Sequence, residues 1–338
     1  MTEPLRFGIN GLGRIGRALL RAARGRAGVE LAAINDVVPA HVLARLLARD
    51  TVHGPFPGEV RAGEGELVVD GRRIPVFQQI DPSRVDWAGA GVEAVVEATG
   101  RFIRREQAAS HLRGTVRRVV ISANADPADP ADVTLALGIN EEAFDPERHA
   151  VISNASCTTN ALALVAKVLH DRFGVRRALM STVHSYTENQ RLLDLPHPDA
   201  RRSRAAALNI IPAATTAAEA LGLLLPELDG RVTGFAVRVP TPVVAMLDLV
   251  ADLEREASEE EIRRAFREAA EGPLAGFLGV TEEELVSSDF VNDPRSAVAD
   301  LPLVQVTGGL ARVVAWYDNE WGYAHRLADL LERLARSS

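Results

Sequence analysis

Three observations predict an α/β chain in two parts. The first part alternates short apolar runs with amphipathic ones, the pattern of strands and crossover helices in a parallel sheet. A glycine-rich turn joins the first of these strands to the first helix. After Cys157, longer strand-like runs follow one another with few helices between them, as in an α+β domain built on a mostly antiparallel sheet.

Leu5 to Ile9 reads as a short buried strand, and Ile15, Ala18, Leu19 and Ala22 then recur at helix spacing. Val29 to Ile34 is a second strand ending at Asn35-Asp36, followed by a helix over about Pro39 to Ala48. Val92 to Glu97, Val116 to Ile121 and Val133 to Ile139 are mostly apolar runs, as expected of strands covered on both faces. In the second part the strand-like segments are Ala178 to Tyr186, Arg231 to Val239 and Val243 to Leu253, and Glu320 to Arg336 is helical in pattern. The polar stretch from Ser185 to Leu208, rich in Arg, Pro and His, is a loop of a length that usually has a function.

With 338 residues, 47 % of them hydrophobic, the chain can bury two cores. A net charge of −8 argues against nucleic acid as a partner, because a phosphate backbone calls for a basic face. No apolar stretch approaches the ~20 residues that span a bilayer, and Met1-Thr2-Glu3-Pro4 leads into a strand without a signal-type apolar region, so a cytoplasmic protein without a membrane partner is expected. One cysteine excludes an intramolecular disulfide. The histidines lack the spacing of a metal site, and no metal is expected.

Gly11-x-Gly13-x-x-Gly16 follows a strand, opens a helix, and has Asp36 twenty positions beyond Gly16, the full context of a Rossmann-type dinucleotide site. The glycines let backbone approach a pyrophosphate, and the helix N-terminus offers it N–H donors. Asp36 is placed to accept from the adenosine ribose hydroxyls, and its charge repels a 2′-phosphate, which selects NAD over NADP.

The single cysteine, Cys157, lies in Asn154-Ala155-Ser156-Cys157-Thr158-Thr159-Asn160, between an apolar strand-like run and an apolar helix-like one. A thiol at a helix N-terminus is favoured as thiolate by the dipole and the unpaired N–H groups. A thiolate nucleophile needs a base, and His184, near the end of the first long strand of the second part, is the candidate. Arg191, Arg201, Arg202 and Arg204 in the long loop, Thr215 and Thr216 at a helix start, and Arg238 form a set of arginines and hydroxyls suited to a phosphate-bearing substrate.

These residues resemble glyceraldehyde-3-phosphate dehydrogenase over essentially the whole chain, and its bacterial and plastid branch in the loop from Leu192 to Arg202. The matching blocks are Gly8–Gly16, Asp50–Gly54, Glu97–Gly100, Val151–Asn160, Thr182–Thr187, Arg204–Pro212, Arg238–Pro242 and Trp316–Tyr323. The resemblance implies a homotetramer that uses NAD to oxidise and phosphorylate its aldehyde, with Cys157 as nucleophile and His184 as base. It implies Thr187 and Arg238 for the substrate's phosphate, and Ser156, Thr158, Arg202 and Thr215, with Thr216 beside it, for inorganic phosphate. For the cofactor it implies Asn10, Gly11, Gly13, Arg14, Ile15 and Asp36, with Thr99, Ser122 and Asn319; Ser122 and Asn319 would lie on the nicotinamide side. Val37, Pro196 and Ile80 stand at positions that favour NAD. The implied division is an NAD-binding domain of 1–153 plus 319–338 and a catalytic domain of 154–318.

Four features depart from the family's pattern. Thr216 replaces a glycine, which is expected to weaken inorganic-phosphate binding, and Asn124 replaces a proline. About three extra residues fall within Ala125 to Val133, and Ala161 replaces a second cysteine. Two alternatives stay open: the sister erythrose-4-phosphate dehydrogenase family, and a non-catalytic oligomeric protein on the same fold.

Overall fold

The computed structural model describes residues 3–337. Met1 and Thr2, which belong to the leaderless N-terminus expected above, lie outside the described residues. The chain divides into two compact units, Met1–Leu137 with Glu141–Ala155 and Ala324–Ser338, and Gly138–Asn140 with Ser156–Tyr323.

The strands of the first unit are β1 (Leu5–Asn10), β2 (Val29–Asn35), β3 (Arg49–Asp50), β4 (Gly54–Pro55), β5 (Val60–Gly63), β6 (Glu66–Val69), β7 (Arg72–Phe77), β8 (Ala94–Glu97), β9 (Arg118–Ile121), β10 (Val133–Thr134) and β11 (Val151–Ser153). Apart from the small β3–β4 ladder they form one sheet, in the order β10-β11-β9-β8-β1-β2-β7-β6-β5. Pairing is parallel from β10 across to β7 and antiparallel among β7, β6 and β5. Crossover helices α1 (Arg14–Ala23), α2 (Ala40–Ala48) and the short α3 (Arg105–Ala109) connect the parallel strands. Strand order reverses between β1 and β8, and in sheets of this kind ligands sit in the crevice outside the strand ends at that point.

Two differences from the sequence reading have local causes. Of the run Val133 to Ile139 only Val133–Thr134 is strand: Leu135 N still donates to Ser153 O at 2.8 Å, and the chain then turns at Gly138, whose φ is +82°. The β5–β7 meander was not assigned in the sequence. It depends on a two-residue turn at Asp70-Gly71, where both residues take positive φ, 50° and 79°, which suits the twist of a hairpin.

The second unit contains β12 (Val175–Ser185), β13 (Ile211–Ala213), β14 (Val232–Val239), β15 (Ala245–Leu253), β16 (Leu278–Thr281), β17 (Ala297–Asp300), β18 (Gln305–Thr307) and β19 (Leu310–Tyr317). Their order is β13-β14-β12-β15-β19-β17-β16, with β18 paired to β19. Only β12–β14 and β16–β17 are parallel, so the sheet is mostly antiparallel, as expected. Helix α4 (Cys157–Phe173) packs on β15, β17 and β19 and is flanked by α5 (Ala217–Leu224) and α6 (Glu259–Glu271). It is buried on nearly every side, which is why its sequence is apolar without a clear polar face. The final helix, α7, is Trp321–Arg336.

Asp50 ties the loop after α2 to α1. Its carboxylate accepts from Arg14 Nη1 at 2.6 Å and from the N–H groups of Val52 and His53 at 2.9 and 3.0 Å, with Arg17 Nη2 at 3.6 Å. Burial opposes its ionisation, but the His53 N–H, Arg14 and the Val52 N–H outweigh burial and hold the carboxyl well below the usual carboxylate range. A depressed folded pKa gives stability that is present above the unfolded value of about 3.9 and lost as pH falls below it. Asp50→Asn is therefore expected to lower stability at pH 7 by about 2 kcal/mol, with the difference from the parent chain shrinking below about pH 4; chemical denaturation at several pH values checks both.

Candidate active site

In the first unit the glycine turn lies at the end of β1, beside β8. Gly11 has φ +96°, and a Cβ there would come within 2.8 Å of the Thr99 side chain and 2.9 Å of its N, so both conformation and space demand glycine. A Cβ on Gly16 would strike Gly11 O at 2.2 Å. Gly13 is different: a Cβ there would meet nothing within 4 Å, and no side chain caps α1. The protein's own packing gives no reason for glycine at 13, whereas the close approach of a pyrophosphate to a helix N-terminus does, so the cradle fits a dinucleotide.

Asp36 is aimed by two backbone donors, Leu12 N at 2.7 Å on Oδ2 and Val38 N at 3.0 Å on Oδ1. Arg14 and Ile15 open α1, half-buried, with Arg14 oriented by Asp50. Thr99 donates its N–H to Glu97 Oε1 at 2.9 Å, and Ser122 N donates to Glu97 O at 3.0 Å. The Asn10 side chain is buried and bonded to Asn35 and Glu97, so it supports the turn from within the sheet.

In the second unit the helix start is built by its own sequence. Ser156 is the N-cap of α4, its Oγ accepting from Thr159 N at 3.0 Å, and Cys157 is the first helical residue. His184, near the end of β12, lies with Nε2 3.7 Å from Cys157 Sγ. Arg238 is its register partner on β14, with Nη1 2.7 Å from His184 Nδ1 and donating to Ser185 O at 3.0 Å. His184 Nδ1 is also 2.8 Å from Ser185 O. A guanidinium only donates, so two tautomers compete. With the proton on Nδ1 and given to Ser185 O, Nε2 presents a lone pair to the sulfur; with Arg238 donating to Nδ1, the proton sits on Nε2.

Sequence reasoning gave no role to Tyr317. Its phenol lies 2.8 Å from Thr158 Oγ1 and 2.8 Å from Thr182 Oγ1, and its ring stands edge-on to His184 at 6.1 Å between centroids. Thr158 is buried, its hydroxyl engaged with Tyr317, while Ser156 Oγ is engaged in capping α4. Asn319 Oδ1 accepts from Ser185 Oγ at 3.1 Å. Arg202 Nη2 donates to Ala214 O at 3.2 Å, next to Thr215, whose Oγ1 accepts from Ala217 N at 3.2 Å. Thr187 Oγ1 donates to Asn189 Oδ1 at 2.8 Å. Thr216 is exposed with φ −91° and ψ 7°, outside the left-handed region that calls for glycine, so the expected loss of phosphate affinity does not rest on left-handed strain.

The electrostatics bear on the expected thiolate. Burial is the largest influence on the Cys157 thiol and pushes it up, against the pull of the Thr158 hydroxyl and Arg238. Burial and then Arg238 push the His184 imidazole down to about 3, while the Ser185 carbonyl and Glu320 act the other way. Burial therefore works against the thiolate that the helix N-terminus favours. What also favours it is pairing, since a proton passed from sulfur to Nε2 creates two opposite charges 3.7 Å apart in a site of low dielectric. Burial also lowers Arg238, which feels Arg202 as a second positive charge, so the pocket collects cations beside the sulfur and suits an anion.

The cradle of the first unit defines a class, the dinucleotide-dependent oxidoreductases, and the second unit by itself holds a cysteine–histidine pair. Residues 5–105 match the family described as glyceraldehyde 3-phosphate dehydrogenase, NAD binding domain, and residues 156–319 match its C-terminal domain. The chain is 50 % identical over 333 residues, 98 % of each chain, to glyceraldehyde-3-phosphate dehydrogenase 1 of Bacillus subtilis. It is 50 % identical over 332 residues to glyceraldehyde-3-phosphate dehydrogenase of Geobacillus stearothermophilus, again with 98 % of each chain covered. To glyceraldehyde-3-phosphate dehydrogenase 2 of Streptomyces arenae it is 48 % identical over 334 residues, 98 % of this chain and 99 % of the relative. The chain belongs to the glyceraldehyde 3-phosphate dehydrogenase family.

If the imidazolium is what sustains the thiolate, removing it leaves burial less opposed. His184→Asn is expected to move the pH midpoint of Cys157 alkylation by iodoacetamide upward. Stopped-flow alkylation across pH checks this, and an unmoved midpoint removes His184 as the partner.

Proposed function

We propose that this chain carries out the NAD-dependent oxidative phosphorylation of glyceraldehyde 3-phosphate to 1,3-bisphosphoglycerate. The observation that carries the reading is a sulfur at a helix N-terminus with an imidazole nitrogen at 3.7 Å and Arg238 against that imidazole. The thiolate of Cys157 adds to the aldehyde carbon, and the carbonyl oxygen, taking up a proton, becomes the hydroxyl of a thiohemiacetal. The backbone N–H of Cys157 and His184 stabilise negative charge on that oxygen. His184 Nε2 then accepts the hydroxyl proton as the carbon loses hydride and becomes a thioester carbonyl. Bound NAD supplies the acceptor for that hydride. An oxygen of inorganic phosphate attacks the thioester carbon, the C–S bond breaks, the acyl phosphate leaves and sulfur regains its electron pair.

Arg238 and Thr187 hold the substrate's phosphate in this reading, and Ser156, Thr158, Arg202 and Thr215, with Thr216 beside them, serve the inorganic one, chiefly through backbone N–H where hydroxyls are engaged. An anion on Arg238 draws its guanidinium off Nδ1 and leaves the tautomer whose Nε2 accepts a proton. Asn10, Gly11, Gly13, Arg14, Ile15, Asp36, Thr99, Ser122 and Asn319 form or support the cofactor site, within the division 1–153 plus 319–338 and 154–318. The protein works as a homotetramer: Leu179 and Phe235 are 66 % and 47 % exposed on the sheet, and Leu192 is 86 % exposed in the long loop, apolar surface that a second copy would cover. Its place is the cytoplasm, where the free thiol stays reduced.

Cys157→Ser is expected to abolish turnover while leaving the dissociation constant for NAD within about twofold. NADH formation measured with glyceraldehyde 3-phosphate and with erythrose 4-phosphate, each with and without phosphate, is expected to favour the triose and to require phosphate for sustained turnover. Preference for the tetrose would assign the chain to the sister activity, and silence with both would leave a binding protein.

A further inference from the structure

The ends of β1, β2 and β8 carry a row of buried polar side chains that the chemistry above does not use. Asn10 pairs in register with Asn35 on one side and with Glu97 on the other. Each stands immediately before a part of the cradle: Gly11, Asp36 and Ala98-Thr99. Glu97 is 1 % exposed, and His111 behind it is fully buried.

The hydrogen bonds run in one direction. Asn35 Nδ2 donates to Gln79 O at 2.9 Å and to Asn10 Oδ1 at 2.7 Å, and Asn10 Nδ2 donates to Glu97 Oε2. Glu97 Oε1 accepts from Thr99 N at 2.9 Å and also from the Thr99 hydroxyl. His111 Nε2 lies 3.1 Å from Glu97 Oε2, and Trp87 Nε1 donates to His111 Nδ1 at 3.0 Å. An indole N–H only donates, so Nδ1 accepts and the ring proton sits on Nε2, directed at the carboxylate.

A buried carboxylate is tolerated only where its lone pairs are met, and here the donors come from three separate stretches of chain. The consequence is geometric. Asn10 before the glycine turn, Thr99 after β8, and the turn holding His111 are drawn to one point at the place where strand order reverses. A Cβ on Gly11 would fall 2.8 Å from the Thr99 side chain and 2.9 Å from its N, so the turn and the Thr99 loop run too close together to admit a side chain, and their separation depends on where Thr99 is held.

We infer that Glu97, held by His111 and Trp87, is a positioning residue for the dinucleotide: it fixes the separation of the Gly11 turn and the Thr99 loop without touching the cofactor. This rests on the dinucleotide reading above. Glu97→Gln puts an NH2 among donors, and is expected to raise the NAD dissociation constant, by calorimetry, and the KM for NAD about tenfold. In the same variant kcat and the KM for the aldehyde should stay within about twofold, and Cys157 alkylation should be unaltered. Trp87→Phe keeps the packing but removes the donor that fixes the His111 tautomer, and a smaller rise of about threefold in the NAD constant is expected. A merely structural role predicts lower kcat at unchanged KM, through loss of folded protein. That result, or an unchanged NAD constant in both variants, overturns the inference. If Glu97→Gln does not fold, Trp87→Phe decides alone. Absence of NAD binding by the parent chain overturns the dinucleotide reading, and this inference with it, before any variant is measured.

Discussion

The position of the first turn of α4 is the constraint on which the chemical half of the molecule depends. One phenol sets it. Tyr317, on β19, meets the hydroxyl of Thr158, the neighbour of Cys157, and the hydroxyl of Thr182, two residues before His184 on the same face of β12. The group that fixes the height of the sulfur above the sheet therefore also fixes the strand that brings the imidazole. Ser156 adds the local condition, since its cap on Thr159 N makes the helix begin at residue 157 and not a turn later.

That arrangement explains how a site that opposes single charges can still do ionic chemistry. Burial raises the thiol and lowers the imidazole, so neither group gains by ionising alone. The cost falls when the proton moves between them, because the two charges appear together at short range. Arg238 then has two effects of opposite sense. Its charge supports the thiolate, while its hydrogen-bonding contact with Nδ1 works against protonation of His184, and an anion that engages the guanidinium separates the two.

The parts of this structure that were legible in the sequence are those set by neighbours along the chain. The glycine spacing, the acidic residue at the end of the second strand and the cysteine at a strand-to-helix join are each marked by residues close by in the chain, and the strands and helices that carry them formed where the periodicities put them. The parts that were not legible depend on contacts between distant segments. Nothing near Tyr317 in sequence marks it as the partner of Thr158 and Thr182, which lie 159 and 135 positions away. Likewise nothing near His111 in sequence marks its partners, and only the folded chain sets it between Trp87 and Glu97. The shortening of β10 has the same origin: apolar residues from 135 to 137 are buried as the run implied, but β11 ends at Ser153, the register partner of Thr134, and the ladder ends with it.

A residue type takes its meaning from the backbone that carries it. Thr216 in place of glycine is not in a left-handed conformation at φ −91°, and the expected weakening of phosphate binding then rests on its methyl group beside the anion. Gly13 shows the converse, since its conformation is ordinary and the space above it is open, so neither strain nor packing explains it. When both internal reasons for a glycine are removed, what remains is something outside the chain that must come close to the backbone. For that reason Gly13, which the fold tolerates without needing, speaks more directly for a bound pyrophosphate than Gly11 or Gly16, which the fold would demand in any case.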